Sequence, residues 1–338
     1  MKMNIEIHRY IAITLLFFVT HGTYSQINKV KLGLLLADLK IERWCKDRDY
    51  FISKSKELNY ETIVGDAMNN QLVQNQQADS MIKSGVKVLV VVPVDAYSSA
   101  YIVELAHKNG VKVVAYDRLI MNCDLDAYVS YDNEMVGQVM AIYTTIRFKK
   151  GNIAYIGGPK SDMNSYSIKK GLMQILSPYI KNNSMHLVCD TFTANWSSID
   201  SKSIMNSYLI KNACPDAIYT ANDELAKGVI EVLDQKGLSG KIYVTGQDAE
   251  LQACRNLVSG KQTLTLFKPV RLLADRAVLI ASGLLGDIPF LTISEVYNGK
   301  INVPSLILNP VPVDKNNLKT TVIKEGYHTE ADIYNEGK

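Results

Sequence analysis

The sequence predicts an α/β protein of two doubly wound parallel-sheet lobes. Three observations carry that expectation. Short β-branched runs alternate with longer amphipathic stretches along nearly the whole chain, the pattern of parallel sheets with helices on both faces. There are more such units than one open sheet holds comfortably. Charged or amide residues recur where the short runs end, which is where open parallel sheets bind ligands.

The elements follow in order. Residues 30–37 read as a strand, and 42–58 as a helix with Trp44, Phe51 and Ile52 at helical spacing among charges. Residues 61–65 form a second strand, followed by a polar helix to Ser84. Residues 86–93 (VKVLVVVP) are nearly all β-branched, as a strand buried on both faces requires. A helix over 96–109 stops at Gly110, and 112–116 is another buried strand. The rhythm then restarts. Helices at 133–148, 161–176, 197–211, 223–235, 250–258 and 270–285 alternate with strands at 153–157, 186–191, 217–220, 242–246 and 262–267. Crossovers are expected to be right-handed. No Pro/Gly/Ser-rich spacer interrupts the middle, so the chain is expected to cross between lobes in short segments: 130–133, 268–269 and 298–304. The N-terminal lobe then comprises 26–131 and 269–300, and the C-terminal lobe 132–268 and 301–338.

With 338 residues, 47% hydrophobic and 21% charged, the chain is long enough for two domains of common size. A net charge of +3 argues against a nucleic-acid partner, which needs concentrated Lys and Arg. Only the last dozen residues read as a tail. Lys2, His8 and Arg9 precede an apolar run at 10–20 and a polar stretch at 21–26 with small residues Thr23 and Ser25. That is the layout of a secretory signal peptide over residues 1–25; the alternatives are a buried first helix or a membrane anchor. The apolar run falls short of the roughly 20 residues that span a bilayer. Export and a periplasmic location are the expectation, and no Cys at the cleavage point indicates a lipid anchor. Cys45, Cys123, Cys189, Cys214 and Cys254 are scattered without metal-ligand spacing. They read as small core residues, with Cys45 beside the richest polar cluster.

That cluster is one of several. The first strand leads to Asp38, with Arg43 and Trp44 on the opening turn of the next helix. Later strand ends carry Asp117 and Arg118; Asp162 and Asn164; Asn195 and Trp196; Asn222 and Asp223; Gln247 and Asp248; and Lys268. Such a set suits a sugar. Each hydroxyl both donates and accepts, so carboxylates, amides and cationic forks are needed around the ring, and Trp44, Trp196 or Phe267 can pack on its C–H faces. Each residue also has a local alternative. Asp162, Asn222 and Asp223 are favoured helix caps, Arg43 and Lys268 can be solvated charges, and the tryptophans can be core. Agreement among seven strand ends carries the reading.

Several segments are far more specific than a glycine motif: DLKIERWCKDRD (38–49), VVAYDRLI (113–120), VSYDNEMVG (129–137), TANDELAKG (220–228), LSGKIYVTGQDAEL (238–251) and TLFKPV (265–270). With them the chain, from about Val30 to about His328, resembles bacterial periplasmic sugar-binding proteins of the ribose/galactose type, most closely the D-xylose-binding branch of ABC importers. The resemblance implies the type I periplasmic binding protein fold with a three-segment hinge, closure of the cleft on a monosaccharide, and binding through Arg43, Asp117, Arg118, Asn164, Trp196, Asn222, Asp248 and Lys268. Asp162 and Trp44 match as well. It implies a monomer, a xylose-like ligand, a membrane permease or sensor-kinase partner, and no cofactor. GGPKSDMN (157–164) stands where the family reads GGSPVDNN, so Met163 replaces an amide. Residues 314–317 faintly resemble the calcium loop of galactose-type relatives but lack its Gly and terminal Glu, so no metal is expected.

Other functions find less support. No G-x-S-x-G elbow, phosphate loop or dinucleotide fingerprint is present, and the five His are dispersed, at 8, 21, 107, 186 and 328. An enzyme is therefore not expected. A LacI-type regulator shares such lobes but carries a helix-turn-helix where this chain has its leader.

Overall fold

The structure is a computed structural model that describes residues 29–289 and 292–335; the expected leader, 1–25, lies outside the described residues. The chain opens with β1 (Lys31–Leu36), α1 (Glu42–Glu57), β2 (Glu61–Asp66), α2 (Gln71–Lys83), β3 (Val86–Val91), α3 (Ala100–Lys108), β4 (Lys112–Tyr116) and β5 (Ala127–Tyr131). It continues with α4 (Asn133–Arg147), β6 (Gly151–Gly157), α5 (Met163–Lys181), β7 (Met185–Phe192), α6 (Ser198–Leu209), β8 (Ala217–Thr220), α7 (Asp223–Gln235), β9 (Tyr243–Gln247), α8 (Leu251–Ser259) and β10 (Leu264–Phe267). The last part contributes α9 (Val270–Leu285), β11 (Ser294–Tyr297), β12 (Asn302–Leu308), β13 (Val311–Val313) and α10 (Glu330–Tyr334). One sheet has the order β11-β12-β5-β4-β3-β1-β2 and the other β13-β10-β9-β8-β6-β7.

Each sheet is covered on both faces. In β3, Val88 and Val90 join an apolar cluster with Leu32, Leu34 and Phe51. Val86, Leu89 and Val91 join another with Ile102 and Val113. A strand with two apolar neighbours has no polar side to show, hence its unbroken β-branched run. The second sheet has the same two-sided core, through Ile153 and Leu172 on one face and Ile218 and Val229 on the other. Helices α4 and α5 touch backbone to backbone. A Cβ on Gly137 would meet the Ile168 carbonyl at 1.9 Å, and one on Gly171 the Glu134 carbonyl at 1.8 Å.

Two expectations need correction. Residues 301–308, expected in the C-terminal lobe, belong to the first sheet, where β12 pairs with β5, Ser305 opposite Tyr128. The 298–304 segment is a hairpin turn, not a crossing: the Asn298 side chain accepts from Lys300 N and Ile301 N and donates to Ile120 O and Cys123 O. The third passage between sheets therefore falls between β12 and β13, at Asn309–Pro310. The two expected parallel-sheet lobes are present, and each sheet adds one antiparallel edge pair, β11–β12 and β10–β13. Second, residues 327–335, expected within a tail, are built into the fold. Thr329 and Asp332 form a reciprocal cap on α10, whose Ile333 is buried beside Tyr327. Residues 314–317 form a turn closed by its own side chains, Asn316 N donating to Asp314 Oδ1 (2.8 Å) and Asn317 Nδ2 to Pro312 O (2.9 Å).

Candidate functional site

The strand ends of both sheets face one another across a cleft. Ile41, Arg43, Trp44, Asp117, Arg118, Asp162, Asn164, Trp196, Asn222, Gln247 and Asp248 line one cavity there, ≈ 300 Å³ with its mouth included. Three helices begin at this wall. Asp162 caps α5 by accepting from Asn164 N (2.9 Å), and Asn222 caps α7 by accepting from Leu225 N (2.9 Å). The capping and wall positions thus coincide, as strand-to-helix turns require. At the start of α1 the cap position is Ile41, with no side-chain cap, and its apolar side chain belongs to the cavity wall.

Arg43 is the hub. It is 3% exposed. Its Nη1 donates to Asp248 Oδ1 at 3.0 Å, Nη2 lies 3.0 Å from Asp117 Oδ2, and Nε lies 3.4 Å from Asp47 Oδ2. The Nη2–Asp117 contact is close but poorly aligned: both atoms lack a hydrogen-bond partner among the described residues. It is a charge contact that leaves bonding capacity on both groups. Burial disfavours the guanidinium charge, but Asp117, Asp47 and Asp248 outweigh it and hold its pKa well above the usual value. The same balance acts on Asp117. Burial alone would raise its carboxyl, yet Arg43, Lys268 and Arg118 keep it below the ordinary carboxylate range. Asp47 goes the other way, pushed up to about 6 by burial against the pull of Arg43 and a hydrogen bond from the Tyr116 hydroxyl.

A second hub is Arg118. Its Nε pairs with Asp162 Oδ2 at 2.7 Å, and its Nη1 donates to Pro93 O at 3.2 Å. Trp196 Nε1 donates to the same Asp162 oxygen at 3.1 Å. Burial raises the Asp162 carboxyl, and Arg118 opposes it. Asp117 has a positive φ of 61°. Its carbonyl is tied by the Tyr128 hydroxyl (3.0 Å), Ser130 Oγ (2.7 Å) and Asn164 Nδ2 (3.3 Å). These ties hold a conformation that a non-glycine residue enters rarely. Both hubs join the two lobes, since Arg43, Asp117 and Arg118 come from the first and Asp162, Asn164 and Asp248 from the second.

Of the residues that the resemblance assigns to the site, all except Lys268 lie on this wall. Lys268 is 1% exposed and stands one layer back, its Nζ donating to Asn133 Oδ1 at 3.0 Å while Asn133 Nδ2 donates to Asn164 Oδ1 at 2.9 Å. Its charge reaches the site through Asp117. The expected site list omits Ile41, Gln247, Asn133 and Asp47. Gln247 had a signal, standing beside Asp248 at a strand end. Trp44 Nε1 and Gln247 Oε1 are buried on the wall without a partner among the described residues. Asp223, also at a strand end, is scaffold: it accepts from Gln262, Thr265 and Glu250 N, and burial pushes its carboxyl up to about 8.

Trp196 lies flat against Gly158. A Cβ at 158 would meet the indole at 2.3 Å. Gly158→Ala is expected to displace the ring from Asp162 and weaken ligand binding about tenfold, the scale of an overpacked contact. Titration together with the emission of the two tryptophans checks it.

The chain matches the periplasmic binding protein domain model over residues 32–287 and belongs to that family. Its relatives narrow the likeness. It is 40% identical to the D-xylose-binding periplasmic protein of Haemophilus influenzae over 90% of this chain and 92% of that protein. It is 38% identical to the D-xylose-binding periplasmic protein of Escherichia coli, over 91% and 94%. Among solved structures, an ABC transporter solute-binding protein from Clostridium phytofermentans with bound β-D-glucose superposes at a TM-score of 0.82, with 29% identity over 90% of this chain and 99% of that one.

Proposed function

We propose that the chain is an exported, monomeric receptor that closes two lobes around one monosaccharide, D-xylose, in the periplasm and offers the closed form to the permease of an ABC importer. The observation that carries this reading is Arg43 of one lobe meeting Asp248 of the other at 3.0 Å on a cavity walled by both. Charged acceptors, a planar donor fork, amides and two indoles converge on one cleft between the lobes. Ionised Asp117 accepts from hydroxyls, Arg43 and Arg118 donate to ring or hydroxyl oxygens, and the unmet Trp44 Nε1 and Gln247 Oε1 supply one donor and one acceptor. A sugar that touches both lobes favours the closed arrangement by its differential contacts, which is all the mechanism a receptor needs. The carboxylates Asp117, Asp162 and Asp248 are engaged with arginines, an arrangement for recognition rather than bond cleavage. The relatives named for D-xylose support the sugar, and the solute-binding protein named for an ABC transporter supports an importer over a sensor.

Calorimetric titration with xylose, arabinose, ribose, galactose and glucose is the test, with xylose expected to bind tightest. A site that matches each hydroxyl rejects an analogue that strands a buried partner. Tighter ribose or galactose binding defeats the assignment of the sugar. Absence of binding to all five defeats the receptor reading.

A further inference from the structure

Two successive residues after β9, Asp248 (φ 94°) and Ala249 (φ 52°), hold positive φ although neither is glycine. This turn aims the Asp248 carboxylate at Arg43. Backbone donors tie it down: Asp248 N to Leu266 O (2.8 Å), Ala249 N to Thr265 Oγ1 (3.2 Å) and Glu250 N to Asp223 Oδ2 (3.0 Å). Its outward carbonyl, Ala249 O, takes the weak Cys254 thiol donor at 3.4 Å and the His328 ring at 2.9 Å from Nε2. His328 is 7% exposed and is not on the cavity wall.

Its neighbours assign its tautomer. A carbonyl only accepts, so Nε2 carries the hydrogen. Nδ1 lies 3.3 Å from Lys46 Nζ, which only donates, so Nδ1 offers its lone pair. Lys46 itself is fixed, donating to Tyr327 O at 2.7 Å and standing 3.7 Å over the Tyr327 ring. It sits one helical turn beyond Arg43 on α1.

We propose that His328 is a positioning residue for the sugar site: in its neutral, Nε2-protonated form it holds the Asp248–Ala249 turn from behind, with Lys46 enforcing the tautomer. The proposal rests on the receptor reading above. Protonation of Nδ1 sets a donor against an ammonium. Burial first, and then Lys46, lowers the ring's pKa below its usual value. Lys46 and Glu42 face it from α1 and Asp332 from α10, Cys254 of α8 shares its Ala249 acceptor, and the Tyr327 ring lies tilted at 59° beside it, with Glu42 Oε1 3.9 Å from Nε2. A lowered pKa in the folded state means the contribution is present above the ordinary histidine range and is lost as pH falls through the lowered value.

The test titrates D-xylose and D-glucose into the folded wild type, His328→Ala and His328→Gln. His328→Ala is expected to bind about tenfold more weakly. Glutamine, whose amide keeps one donor and one acceptor, is expected to restore affinity to within about threefold. Wild-type affinity should fall from about pH 7.5 to about pH 5, and the glutamine variant should lack that step. Wild-type affinity in His328→Ala, no rescue by glutamine, or identical pH profiles overturns the proposal. If His328→Ala does not fold, the glutamine variant and its pH profile decide. If the wild type binds neither sugar, the receptor reading fails instead; hydrogen exchange at the Ala249 and Glu250 amides then decides, faster exchange in His328→Ala supporting the tie and unchanged exchange overturning it.

Discussion

Arg43→Met is expected to abolish sugar binding and to lower stability by about 3–5 kcal/mol, the cost of removing one partner from a buried ionic cluster. Three carboxylates, Asp47, Asp117 and Asp248, surround this one guanidinium. Methionine keeps much of the stem and none of the charge, so the acids face one another at close range in a dry site. Their response to pH distinguishes this account from a simple packing defect. Without Arg43 the carboxyls of Asp47 and Asp117 rise in the folded state, which then binds more protons than the unfolded chain. Stability of the variant must therefore improve as pH falls, and its deficit against the wild type narrows. Urea unfolding near pH 7.5 and near pH 5 measures both terms. A variant that unfolds like the wild type at both pH values removes Arg43 from the centre of the site.

Asp248→Ala carries the second large effect. It removes a carboxylate from the cavity wall and a partner from Arg43, and the expected loss is about 2–5 kcal/mol of binding free energy. Arg118→Ala strands Asp162 and belongs to the same class. Backbone strain offers a cleaner separation. Asp248 holds φ 94°, a conformation that glycine enters without cost. Asp248→Gly therefore deletes the carboxylate as Asp248→Ala does but relieves the turn, so it should melt higher than Asp248→Ala and yet lose the sugar equally. Such strain is retained where function needs it and is not expected of a mere loop. Calorimetry and thermal unfolding on the three variants read the two effects apart; unchanged affinity in Asp248→Gly would show that this carboxylate plays no part in recognition.

Most of the fold was legible because buried parallel strands advertise themselves. Residues 86–93 and 112–116 stand out as β-branched runs, and the long helices between them have clear stops. What escaped were strands with polar or broken sequences. The β5 segment AYVSY is fully buried, yet three of its five residues bear hydroxyls. Those hydroxyls find backbone carbonyls, Tyr128 and Ser130 at Asp117 O and Tyr131 at Pro269 O, a satisfaction that composition cannot reveal. Overlooking β5 also hid Asn133, which stands at that strand's carboxyl end. Strand β12 was obscured by Pro304, which argues against a ladder position. Pro304 lies where β12 pairs only with the edge strand β11, and the pairing with β5 begins one residue later at Ser305.

The wall residues were legible for a different reason. Strand-end carboxylates and amides mark the cleft whatever the ligand, so Arg43, Asp117, Asn222 and Asp248 are legible in the sequence alone. Layers behind the wall leave no such mark. Lys268 ends a strand and reads as a contact, but its ammonium serves Asn133 and, through it, Asn164. Asp47 lies one turn along α1 from Arg43 and reads as an ordinary helix charge until its burial is seen.

The most direct measurement is a crystal structure of the protein grown with D-xylose. Ring and hydroxyl oxygens are expected within hydrogen-bonding distance of Arg43, Asp117, Arg118, Asn222 and Asp248 at once, with the lobes closed over them. A sugar seated elsewhere, or held by one lobe alone, would contradict the account.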